Sequence, residues 1–112
     1  MSIEGLWSVD FGLGGGIAVL ESGRVFGGDS WFAYTGQFQL NQGSISGRLT
    51  IKRHNPDPSG IDVWGTGANL YQVDLNLTVS PPHDAASGVV TRVGVTGAPP
   101  LPVTMKKLSD LP

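Results

Sequence analysis

Apolar and polar residues alternate along most of this chain, and glycine or proline breaks the alternation at short intervals. Ile3, Gly5, Trp7, Val9 and Phe11 share one face of the first run, with Glu4, Ser8 and Asp10 on the other. A period of two is the mark of a half-buried strand. "GLGGG" ends that run, "IAVLE" forms a second, and Ser22-Gly23 is a tight hairpin signal. A short third strand, "RVF", stops at Gly27-Gly28-Asp29. The fourth places Phe32, Tyr34, Gly36, Phe38 and Leu40 against Ala33, Thr35, Gln37 and Gln39. Asn41-Gln42-Gly43 turns the chain into a fifth strand, where Ile45, Gly47, Leu49 and Ile51 oppose Ser46, Arg48, Thr50 and Lys52. The sixth, "LYQVDLNLTV", directs Tyr71, Val73, Leu75, Leu77 and Val79 inward. "SPPHDAASG" reads as a loop, "VVTRVGV" as the seventh strand, and "LPVTMKKL" as the eighth. No segment carries a helical period.

Eight strands joined mostly by short turns predict an all-β, eight-stranded antiparallel up-and-down barrel, lipocalin-like in architecture, over residues 1–112 as one domain. Its first and last strands pair to remove the sheet edges; a two-sheet sandwich is the rival. On the inner face, Trp7, Phe32, Tyr34, Phe38 and Leu40 form one wall. Ile45, Leu49 and Ile51 form the next, and Tyr71, Val73 and Leu75 a third. These residues are either a packed core or the lining of a lipophilic cavity, and Gly36 among them is expected to leave room. The long segment "HNPDPSGIDVWGTGAN" carries Ile61, Val63 and Trp64, which predicts a plug-like loop folded over something apolar. Leu6, Leu20 and Val90 break the polar faces of their strands. With Trp31 they are expected to form an exposed association surface.

Composition narrows the function. Charged residues make up 14% of the chain, the formal net charge is -2, and basic residues adjoin only at Lys52-Arg53 and Lys106-Lys107. Direct nucleic-acid binding is not expected. The chain has no cysteine, so thiolate metal sites and cysteine nucleophiles are excluded. No apolar run reaches the ~18 residues of a membrane span. The start "MSIEGLWSVDF" has no basic region followed by a long apolar stretch, which reads as a mature, cytoplasmic protein without a membrane partner. The glycines and prolines, 17 and 8, serve turns between ordered strands.

Catalytic motifs fare poorly. "GLGGG" lacks the following helix that a phosphate loop needs. Asp29 after Gly27-Gly28 is expected to accept local backbone hydrogen bonds at a corner. His54 with Asp57, and His83 with Asp84 and Ser87, are polar loop residues without a third metal ligand or an oxyanion hole. The expectation is a non-enzyme with no catalytic residue, metal or cofactor.

"GLWSVDF", the run "SGRVFGGDSWFAYTGQFQL" and the strand ending "RHN" together resemble the GrlR family, small negative regulators of type III secretion in enteric pathogens. The resemblance is best from Gly5 to about His54. It implies an eight-stranded barrel with a hydrophobic cavity, a loop plugging one side (here Asn55 to Asn69), and a homodimer. It also implies function by contact with a protein partner, a transcriptional regulator that is sequestered. The family's acidic run between the fourth and fifth strands is absent, since Asn41-Gln42-Gly43-Ser44 stands there. A carrier or sensor of a small lipophilic ligand is the alternative reading.

Overall fold

Every strand of this chain must bury one face, and closing the sheet on itself does so without leaving an edge. The computed structural model describes residues 3–12, 14–57, 60, 62, 64–65 and 67–112. It contains β1 (Gly5–Asp10), β2 (Gly15–Glu21), β3 (Arg24–Gly28), β4 (Phe32–Asn41), β5 (Ser44–Arg53), β6 (Leu70–Ser80), β7 (Ala85–Arg92) and β8 (Leu101–Ser109). Each strand pairs antiparallel with its neighbour in sequence, and β1 pairs with β8, giving a closed up-and-down barrel. The expected fold is therefore the observed one, and the sandwich is not. Among the described residues no helix is long and apolar enough to cross a membrane.

Up-and-down connectivity makes the two ends of the barrel different. At one end the chain reverses through tight turns. Ser22 and Gly23 have φ of 52° and 76°, and Gln42 and Gly43 have 51° and 82°, the left-handed pair that two-residue hairpins require. At the other end lie the connections β1–β2, β3–β4, β5–β6 and β7–β8, and the two long ones of the chain, residues 54–69 and 93–100, are both there.

The tight-turn end is filled. Trp7, Ile45 and Leu77 are the largest fully buried side chains, and the Trp7 indole N–H donates to the Ile3 carbonyl at 2.8 Å. Phe38 and Val79 join them in the core.

Several expectations about the strands need correction. β3 does not stop before Gly27-Gly28 but runs through both, which pair with Ala18 and Ile17 of β2 and with Tyr34 and Ala33 of β4, and β2 starts at Gly15, inside "GLGGG". The seventh strand starts at Ala85, inside the stretch read as a loop, and ends at Arg92. Ala85 through Ser87 are small and carry little pattern, but they lie between Ser80–Thr78 of β6 and Lys106–Thr104 of β8, and both ladders require them. Gly94, read as a strand glycine, sits beyond β7 with φ of 80°. Leu40 is 47% exposed. β4 pairs with β3 only as far as Gln37, so Leu40 lies on a β4–β5 overhang past the end of the shorter strand.

Candidate ligand cavity

The end with the long connections is hollow. A cavity of about 790 Å³ opens there, within the size range of small-molecule sites. Its walls come from the inner faces of the strands: Phe32 and Tyr34 on β4, Leu49 and Ile51 on β5, and Tyr71, Val73 and Leu75 on β6. These seven residues were all read from the alternation as inner wall. Trp7, Phe38 and Ile45 are buried but belong to the filled end and do not reach the cavity. The barrel is thus packed over one half and open over the other.

Gly36 is not the source of the space. Its ladder partners are Val25 and Leu49, and a Cβ there would press on the Arg48 carbonyl and come within 2.9 Å of Leu49 Cα. The glycine allows strands β4 and β5 to approach closely.

The residues expected on an outer association surface mostly face the cavity instead. Leu20 is 2% exposed and pairs with Gly5 and Val25; it lines the cavity. Val90, paired with Leu75 and Leu101, lines it too. Trp31 reaches it from the β3–β4 corner. Short runs such as "IAVLE" contain apolar residues on both faces, so only pairing decides which face is inner. Leu6 remains outside, half-buried and paired with Val19, which pairs in turn with Phe26. Ile17 and Phe26 are 41% and 40% exposed, so β1 to β3 carry an apolar outer row.

The mouth is aromatic and polar, and the β5–β6 loop is tied across it. Arg53, at the end of β5, fastens that loop. Its Nε donates to Asn69 Oδ1 at 2.8 Å, one Nη to the Asn55 and Asp57 carbonyls at 3.1 and 3.3 Å, and the other Nη to the Gly60 carbonyl. Its guanidinium lies 5.2 Å from the Phe32 ring centre. The His54 and Asn55 amides both donate to the Trp31 carbonyl, and a Cβ on Gly60 would overlap the Trp31 ring, so the loop passes directly over that indole. Of the expected plug residues, Ile61 and Val63 lie outside the described residues. Trp64 lines the cavity, stands edge-on to Tyr71 with ring centres 6.0 Å apart, and donates its indole N–H to the Pro99 carbonyl.

Two acidic residues, Asp29 and Asp62, are among the described residues that line the cavity. Asp29 does what was expected of a corner aspartate: its Oδ1 accepts from the Trp31 and Phe32 amides at 2.8 Å each. Its Oδ2 also accepts from the Tyr34 hydroxyl. Burial, and then that bond, push the Tyr34 phenol well above its ordinary range. Asp62, 2% exposed, accepts from the Trp64 and Ala68 amides at 2.9 and 3.2 Å and pairs with Arg92 at 3.8 Å. Arg92 also lies 4.1 Å from the Tyr71 ring centre and 5.6 Å from that of Trp64. Burial first, then the Asp62 charge, push the Tyr71 phenol up to about 12.

Reading the sequence missed the lining residues Ala18, Val25, Leu101, Val103 and Met105, and at the mouth it missed the buried pair of Asp62 with Arg92. A signal existed for Arg92: it continues the inner row Ala86, Gly88, Val90 at period two, a charge on an apolar face. Asp62 carried none beyond its apolar neighbours. The chain matches no known protein-family model and no curated protein sequence. The fold and the site together define a small β-barrel with one filled end and an apolar cavity under an aromatic mouth.

Proposed function

We propose that this protein is a non-enzymatic binding protein whose barrel receives a small lipophilic ligand. The observation that carries the reading is the cavity of about 790 Å³ walled by apolar strand residues, beside a loop that Arg53 fastens at Asn55 and Asn69. Burying a lipophile there removes apolar surface from water on both partners, at ~25 cal/mol per Å². The test is titration with an apolar fluorescent probe. Saturable binding is expected, and Val73→Phe, which adds a ring to the cavity wall, should abolish it while leaving the fold intact. Absence of saturable binding by the folded protein would refute the reading.

A second reading is regulation through protein contact, as the resemblance to GrlR-type negative regulators of type III secretion suggests, with the protein a cytoplasmic homodimer that sequesters a transcriptional regulator. It is favoured by the outer apolar row Leu6, Val19 and Phe26 with Ile17 beside it. The turn at Asn41 to Ser44 offers no acid for a basic partner, so an activator recognised through that turn would not be bound. Light scattering tests the assembly: a dimer that Phe26→Asp converts to monomer supports this reading, and a strict monomer at high concentration removes it.

A further inference from the structure

We propose that the cavity mouth selects lipophilic cations, amphiphiles whose apolar chain enters the barrel while an ammonium group sits against Asp29. This rests on the ligand-binding reading above and names the ligand class. Of the two carboxylates on the lining, Asp62 is balanced by Arg92 at 3.8 Å. Asp29 is held by neutral donors, the Trp31 and Phe32 amides and the Tyr34 hydroxyl. Among the described residues it has no ion-pair partner within 4.0 Å. Its charge is therefore oriented by the fold without being neutralised in contact.

The surroundings suit a cation. Trp31 and Tyr34 line the cavity beside Asp29, and aromatic faces attract cations through the ring quadrupole. The mouth already draws two: Arg92 over Tyr71 at 4.1 Å and Arg53 over Phe32 at 5.2 Å. An anionic head group finds the opposite. The described lining contains no Lys, Arg or His. Arg92 is engaged by Asp62, Tyr71 and Trp64, and Arg53 by Asn69 and the carbonyls of the loop. A fatty acid or alkyl sulfate would approach Asp29 with no Lys or Arg on the described lining to receive it; the His54 ring beside it is already engaged, its Nε2 on the Asp29 main-chain carbonyl at 2.8 Å, and like charges at this range repel.

The experiment uses the neutral probe N-phenylnaphthylamine, displaced by octyltrimethylammonium, octanol or octyl sulfate below their micelle concentrations. The expected order is cation, alcohol, sulfate, with the cation ahead of the alcohol by about tenfold at low salt and by less as salt screens the charge. Asp29→Asn keeps a carbonyl oxygen for the Trp31 and Phe32 amides and removes the charge. It should erase the cation's advantage over octanol. If the probe saturates but octyl sulfate competes as well as the cation, or Asp29→Asn retains the cation's advantage, the selectivity is wrong while lipophile binding stands. If no probe saturates, both fall. Should Asp29→Asn fail to fold by circular dichroism, the wild-type ranking and its salt dependence decide alone.

Discussion

Leu75 and Leu77 are the same residue type on the same face of β6, one pleat apart, and they should respond very differently to truncation. Leu77 is 1% exposed and sits in the filled end; Leu75 is 7% exposed and stands on the cavity wall. Removing three carbons from a buried leucine forfeits about 2.4 kcal/mol of transfer free energy at ~0.8 per methylene. At Leu77 the surrounding Trp7 and Ile45 are already packed, so a new void must open. Its cost, rising by ~24 cal/mol per Å³, brings the total to about 4 kcal/mol. At Leu75 the vacated space merges with a cavity that exists, and part of the side chain already lacks packing partners. Leu75→Ala should therefore cost about 2 kcal/mol. Urea unfolding followed by tryptophan fluorescence measures the difference. With a slope of roughly 1–2 kcal/mol per molar, the two midpoints should lie about 1–2 M apart with unchanged slopes. Equal losses for the two variants would mean that the barrel is packed at both ends, and would refute the half-hollow reading and the ligand site with it.

The remaining predictions concern the mouth. Arg92→Ala strands Asp62 in a buried position and should cost about 3–5 kcal/mol by the same urea assay; Arg92→Lys should rescue little, because an ammonium does not reproduce the planar guanidinium over Tyr71. Both tyrosines of the chain have phenols raised by burial, Tyr71 from 10.0 to about 12. Their neutral forms are favoured by the fold, so this stability is fully present below pH 10.0 and is lost as pH rises toward about 12. Tyrosinate absorbance should accordingly lag behind that of the unfolded chain across this interval; ionisation at the ordinary value would contradict the burial. Arg53→Ala releases the Asn55, Asp57 and Gly60 carbonyls, and limited proteolysis should then cut between Asn55 and Asn69 several-fold faster, with the strands intact. Unchanged cleavage would show that the loop is held by other contacts.

The strands were legible because their signal is local. In β4, β5 and β6 the inner residues follow at every second position and no partner is needed to identify them, so Phe32, Tyr34, Leu49, Ile51, Tyr71, Val73 and Leu75 could all be assigned to the inner face. Closure followed from strand number and turn spacing. Faces of the shorter, less patterned strands depended on register: Leu20 and Val90 turned inward because of the residues opposite them. Leu40, paired with the buried Ile45, is left exposed because β3 stops short of it. Whether the interior is filled depends on how side chains from distant strands meet. Trp7, Ile45 and Leu77 lie on β1, β5 and β6 and close one end together, which no periodicity in any one strand records. The charge pattern of the mouth is likewise tertiary. Asp62 and Arg92 are separated by the whole of β6 and β7, and they become a buried pair only when the loop folds back over Tyr71. Alternation sets which face of a strand avoids water; what that face encloses is decided by the residues that other strands bring to it.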